Sequence, residues 1–324
     1  MKLENKITTI VTHKNATNPC PDGIASAIIL SHVFPHESVI FLNQSSNDYL
    51  DLPAIPGMLF CDICPPKHRV QEFVNVGAYV LDHHAQSESI IKEFKERGIF
   101  ANEVLEPGVS GAVLAYREIY EFYFGKDKTE KFARLAGIRD CWINSSPEWV
   151  EACQQACMLE FFGFEYFNTP LIKFPSEHDI KMGGFLYNKK LEKAKETAEK
   201  HIIFNDEIAI ATATGTEVND VSKVIFETHS EISIVAGFQH VVDQGNLKII
   251  ISLRSCGDVD VGMIAKKYGG GGHKHAAGFS ISTGNIADSI GFGDICRILY
   301  YRLREQEITL LGLSDQLFKS VRIN

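Results

Sequence analysis

The chain has 324 residues, of which 45% are hydrophobic and 23% charged, with a net charge of −9. That composition fits a globular chain of about two domains. The acidic balance argues against a protein that tracks long nucleic acid, which needs a basic face, and no apolar run approaches the roughly 20 residues of a membrane helix. The segment Met1-Lys2-Leu3-Glu4-Asn5-Lys6 lacks the apolar core of a signal peptide, so a cytoplasmic location is the default expectation.

In chain order, Ile7 to Thr12 reads as a β-branched strand and Asp22 to Phe34 as a helix. Strands follow at Ser38 to Leu42 and Met58 to Cys61, then a helix from Lys67 to Asn75 and a strand from Ala78 to Leu81. This alternation predicts a parallel sheet covered on both faces. Helices are expected at Ser110 to Phe124, Thr129 to Ile138 and Glu148 to Phe162. A charged, helix-favouring stretch, Asn188 to Glu196, follows Met182-Gly183-Gly184 and reads as a solvated connection, because its acids and bases interleave. Strands return at Ile208 to Ala211, Ile232 to Val235 and Leu247 to Leu253, and a helix from Val259 to Tyr268 enters a run of four glycines. The eight cysteines are best read as buried free thiols, not as a zinc site or a disulfide framework.

Asp82-His83-His84 ends the strand Gly77 to Leu81 and is the most informative motif. Asp22, Asp62 and Asp140 also follow apolar segments. Open parallel sheets bind ligands outside the carboxyl ends of their strands, so these groups can converge on one metal centre. Without a cation such acids would repel one another in a cleft. Taken singly, each has a plainer reading. Asp22 could be a helix N-cap, His13 a strand-end histidine, Asp140 a partner of Arg139 or Arg134, and Cys20 an inert thiol. The glycine run Gly269 to Gly272 forfeits much backbone entropy, and successive amides there can form an anion nest. It has neither the Walker spacing nor a dinucleotide fingerprint.

With these motifs the chain resembles the DHH phosphoesterases, and its second half resembles their type 1 DHH-associated domain through Gly269 to Phe279. The family includes RecJ-type exonucleases and oligoribonucleases. The resemblance implies an α/β fold: a parallel-sheet DHH domain at residues 1–182, a linker helix at 183–204, and a smaller α/β DHH-associated domain at 205–324. It implies two Mn2+ or Mg2+ ions. Asp62 would bridge them, with Asp22, His83 and Asp140 completing one site and His13, with Cys20 or a water, forming a weaker one. Cys20 stands where the family has the first aspartate of its Asp-x-Asp motif, and His13 lies farther from that pair than in many relatives. Asp82 would orient a histidine and His84 would contact the phosphate or the leaving oxygen. Arg254, Gly270, Gly271, Gly272 and His273 would bind substrate. The expected activity is hydrolysis of a small nucleotide or short oligonucleotide by metal-activated water, with no long duplex and no membrane partner, and with a homodimer left open. An exopolyphosphatase or pyrophosphatase is the alternative enzyme, and a non-catalytic nucleotide-binding protein the alternative class.

Overall fold

The structure, a computed structural model, describes residues 7–14, 20–35, 38–44, 46–102, 108–169, 174–200, 202–204, 208–211, 217–243 and 246–282. Part of the expected second domain, residues 283–324, therefore lies outside the described residues. So do residues 15–19, between His13 and Cys20. The chain divides into two compact units, Met1–Lys190 and Leu191–Asn324.

The first unit is built on a sheet of four parallel strands in the order β2-β1-β3-β4: β1 Thr9–His13, β2 Ser38–Leu42, β3 Met58–Cys61 and β4 Tyr79–Leu81. Successive residues of a strand point to opposite faces, and both faces here are buried. Ile10, Leu59, Cys61 and Leu81 pack on one side with α1 (Pro21–Val33) and with later helices; Val11, Met58, Phe60 and Val80 pack on the other. The short helix α2 is Asn47–Leu50. Phe73 of α3 (Val70–Asn75) and Phe94 of α4 (Glu88–Glu96), both fully buried, cover that second face.

The expected helix from Ser110 to Phe124 is in fact three pieces: α5 Gly111–Leu114, a π-helical stretch Ala115–Tyr120, and α6 Glu121–Phe124. Then come α7 Thr129–Asp140 and α8 Trp149–Phe167, the latter broken at Gly163. The linker helix expected from residue 183 begins earlier in the structure. Gly183 and Gly184 lie within α9, Glu177–Ala198. A helical glycine costs about 1 kcal/mol, but a Cβ on Gly183 would sit 2.4 Å from the Gln154 carbonyl oxygen of α8. The glycine is there for close helix packing, not for a hinge.

The second unit has a six-stranded sheet in the order β5-β6-β7-β8-β10-β9. Its strands are β5 Ile202–Phe204, β6 Ile208–Ala211, β7 Ile234–Asp243, β8 Asn246–Ser255, β9 Gly271–His273 and β10 Ala276–Ser282. Only β6 and β7 pair in parallel. One face packs on α11 (Val261–Lys267), the other on α10 (Glu217–Thr228) and on Ala194 and Ala198 of α9. Among the described residues, no helix is long and apolar enough to cross a membrane.

Candidate metal centre

Adjacent parallel strands bring their carboxyl ends together, and the candidate residues follow from that. His13 is the last residue of β1, Asp62 directly follows β3, and Asp82-His83-His84 directly follows β4. Asp62 is the hub. Its Oδ1 lies 3.0 Å from His83 Nε2, and its Oδ2 lies 3.7 Å from Cys20 Sγ and 3.8 Å from His13 Nδ1. His83 Nε2 also lies 3.6 Å from Asp140 Oδ2, at the end of α7. Two of the plainer readings can be compared with this geometry. Asp22 is not an N-cap, because α1 begins at Pro21 with Cys20 at the cap position. Arg134 pairs with Glu148, and the Arg139 guanidinium lies 5.2 Å from the centre of the Trp149 ring.

Asp82 has an oxygen within 4.8 Å of donor atoms of Asp62, His83 and His84, but both its oxygens are engaged in hydrogen bonds. Its Oδ1 accepts from the His83 and His84 amides at 2.8 and 3.3 Å, and lies 2.7 Å from His84 Nδ1; its Oδ2 accepts from Ser87 Oγ at 2.5 Å. Burial alone would raise its pKa, but His84 and these hydrogen bonds hold it well below the usual carboxylate range. Burial likewise pushes the His84 pKa down, and the Asp82 carboxylate more than offsets it, so the net shift is upward.

The remaining acids are held in the opposite state. Burial raises the pKa of Asp22, with Asp140 adding to it, and raises that of Asp62, with Asp22 adding to it. Asp22 Oδ2 is buried with no hydrogen-bond partner among the described residues. Asp140 closes a helix, where the macrodipole is negative and disfavours a carboxylate. His13 is pushed down from 6.5 to about 4 by burial and by His84, so at neutral pH its imidazole is the free base that a metal requires. Carboxylates that resist ionisation, an orphaned buried oxygen and the neutral imidazole of His13 together fit a bound divalent cation. Carboxylate and imidazole donors suit Mn2+.

This predicts an unusual pH dependence. A carboxyl group with a raised folded pKa contributes stability at low pH, and that contribution is lost as the pH rises through the folded value. His13, with its lowered pKa, opposes this trend only below its ordinary value of 6.5. As the pH rises above 6.5, His84, whose pKa is raised above that value, loses its contribution in the same direction as the carboxyl groups, so metal-free protein should lose thermal stability, and added Mn2+ should restore more of it at the higher pH. Melting curves in chelator and in Mn2+ across that range would decide; a metal-induced shift that shrinks with rising pH would rule this electrostatic account out.

Three residues packed against Asp22 carry no chemical signal in the sequence. Ser110 Oγ donates to Asp22 Oδ1 at 2.7 Å, and the Ala112 amide donates to the same oxygen at 3.2 Å. Between them lies Gly111, where a Cβ would meet Asp62 Cβ at 2.5 Å and Asp22 Oδ2 at 2.9 Å. Among the described residues the two non-glycine residues with positive φ, Asp62 at 65° and Trp142 at 56°, also belong to this region. Such backbone is uncommon for Asp and an outlier for Trp, and strain of this kind gathers at functional sites.

In the second unit, Arg254 lies near the end of β8, its Nε donating to Asn219 Oδ1 at 2.5 Å and its Nη1 to the Leu253 carbonyl at 2.7 Å. The glycine run is a tight crossing as well as a loop. The Gly269 and Gly270 amides donate to the last carbonyls of α11, and Gly271 to His273 pair with β10. A Cβ on Gly270 would fall 2.1 Å from the Gly278 oxygen, and one on Gly272, whose φ is 138°, would fall 2.5 Å from the Ala276 oxygen. His273 is the last residue of β9.

Comparison with known proteins gives three findings. Residues 205–291 match the DHHA1 domain family. An uncharacterized protein of Acanthamoeba polyphaga mimivirus is 26% identical over 295 residues, 81% of this chain; the chain spans 66% of that protein, just under two thirds of its length. Among solved structures, an exopolyphosphatase-related protein from Bacteroides fragilis superposes with a TM-score of 0.51 at 13% identity, covering 94% of this chain and 93% of that one. A pGpG-specific phosphodiesterase from Vibrio cholerae gives a TM-score of 0.47 at 15% identity, covering 95% and 99%. At these identities the structural likeness is one of fold.

Proposed function

We propose, from the match of residues 205–291 to the DHHA1 domain family and from the Asp82-His83-His84 triplet, that the chain is a DHH-family phosphoesterase that depends on Mn2+ or Mg2+ and acts on a small nucleotide or short oligonucleotide. The observation that carries this reading is the set of acids gathered around His83: the buried Asp22 and Asp62, whose pKa values are raised, and the part-buried Asp140. Asp22, Asp62, His83 and Asp140 would hold one ion; His13, Cys20 and Asp62 a second. Such ions supply an acidified water as nucleophile and neutralise charge at phosphorus.

The chain's own residues do the rest. Asp82 holds His84 Nδ1 and favours its protonated form, so His84 is suited to donate a hydrogen bond to a phosphate or leaving oxygen. Ser87 and two backbone amides fix Asp82 for that task. Phosphate capture is assigned to Arg254 and His273 of the second unit, together with the glycine backbone of Gly270, Gly271 and Gly272. Asn219 restrains the Arg254 side chain, which lowers the entropy lost on binding. Cys20, in place of a carboxylate, favours as the second reading a non-catalytic nucleotide-binding protein.

The deciding experiment is turnover on linear dinucleotides, a 3′,5′-bisphosphonucleoside, cyclic dinucleotides, pyrophosphate and polyphosphate, with Mn2+ or with chelator. We expect Mn2+-dependent cleavage of a short nucleotide. For that substrate, Arg254→Ala and His273→Ala should raise KM by about tenfold or more, as expected for lost charge-assisted hydrogen bonds, and leave bound metal unchanged. Cleavage of polyphosphate alone would favour the alternative enzyme. Nucleotide binding without turnover would favour the second reading. Loss of metal in both variants would refute the division of labour.

A further inference from the structure

Cys20 occupies the N-cap position of α1, with extended backbone at φ −84° and ψ 120°. Ser, Thr, Asp and Asn are preferred there because their oxygens cap the first turn. Cys20 makes no side-chain capping bond. Its buried Sγ lies instead 3.7 Å from Asp62 Oδ2. His13 Nδ1 approaches the same oxygen at 3.8 Å, and the donor atoms of His13, Cys20 and Asp62 all lie within 4.8 Å of one another. Nearby, Asp22 Oδ2 is buried and unpartnered. Helix capping therefore gives no reason for the thiol, while the position of its sulfur does.

The donor sets on the two sides of Asp62 differ in kind. One offers the oxygens of Asp22, Asp62 and Asp140 with a single imidazole, which suits hard cations. The other offers an imidazole, a sulfur and a single carboxylate. Soft thiolate donors favour Zn2+ and its neighbours over Mn2+ or Mg2+. Resting on the metal-centre reading above, we infer that the centre is heterometallic: Cys20 binds as a thiolate beside His13 and Asp62 and selects a borderline cation of the Zn2+, Co2+ or Fe2+ class, leaving Mn2+ or Mg2+ to the oxygen-rich side. The binding step is balanced. The cation replaces the proton on Sγ, and one proton leaves to solvent for each thiolate–metal bond formed.

The test uses the metal-free full chain titrated with Co2+, whose bond to a thiolate absorbs strongly in the near ultraviolet. The wild type is expected to show that band. Cys20→Ser and Cys20→Asp are expected to lose it while still binding Co2+, and Cys141→Ser, beside Asp140, is expected to keep it. In competition, Cys20→Asp should lower the preference for Zn2+ over Mn2+ by at least about tenfold, since even outer-shell changes cost about 10- to 100-fold in affinity. Independently of any variant, zinc-edge X-ray absorption of the wild type should show one sulfur neighbour at about 2.3 Å. A shell of nitrogen and oxygen only, a Co2+ complex without the band, or a band that survives in Cys20→Ser would each overturn the inference. A wild type that binds neither Co2+ nor Mn2+ would overturn the underlying metal reading with it, and so is distinguishable from those results.

Discussion

Asp62→Asn is expected to abolish metal-dependent turnover and yet raise the melting temperature of the metal-free protein. Among the described residues, Asp62 is the carboxylate within reach of His13, Cys20 and His83 together, so its loss should weaken both ion positions. Outer-shell partners of a metal cost about 10- to 100-fold when removed, and a bridging ligand should exceed that. Stability should move the other way. Burial, with Asp22 beside it, pushes the Asp62 pKa up, so without metal the ionised form strains the fold. Asparagine keeps the shape, removes the charge and tolerates the left-handed backbone at φ 65°. Parallel measurement of kcat/KM and of melting in chelator checks both halves. A variant that keeps activity within about tenfold of wild type, or melts lower than wild type in chelator, would sink the assignment.

The second large effect is expected at a residue with no side chain. Gly111→Ala places a methyl group 2.5 Å from Asp62 Cβ and 2.9 Å from both Asp62 Cα and Asp22 Oδ2. Neither neighbour is the free end of a flexible chain, since Asp22 is fixed by Ser110 and Ala112, and Asp62 is anchored by its amide on the Leu81 carbonyl. Overpacking of this kind costs about 1–3 kcal/mol. The displaced carboxylates should also lose metal affinity, and Gly111→Ser should do worse. Metal titration and denaturant unfolding of the two variants would check this. Full metal affinity in Gly111→Ala would mean that the two carboxylates are not held as the geometry requires.

The parts of the fold legible in the sequence were those with strong periodicity. β2 and β3 stand where the β-branched and apolar runs place them, and the ionisable residues at their ends could be found because the chemistry needs titratable groups there. Ser110 and Gly111 could not be found that way. They lie 88 residues or more from Asp22 in sequence and differ from ordinary loop residues only in what they touch. β9 was hidden because Gly271-Gly272-His273 has little strand propensity; pairing with β10 imposes the conformation. The π-helical stretch Ala115–Tyr120 leaves no mark on a helical pattern. Helix α10 was legible and went unread: Val218, Val221, Val224 and Ile225 share one buried face at helical spacing.

The central claim is that the acids and imidazoles at the strand ends of the first unit form a divalent-metal centre. The most direct test is titration of metal-free protein into Mn2+, followed by electron paramagnetic resonance of the free ion. The wild type is expected to remove the free-ion signal and Asp62→Asn to leave it. A wild type that leaves the free Mn2+ signal intact, or an Asp62→Asn variant that removes it equally well, would contradict the claim.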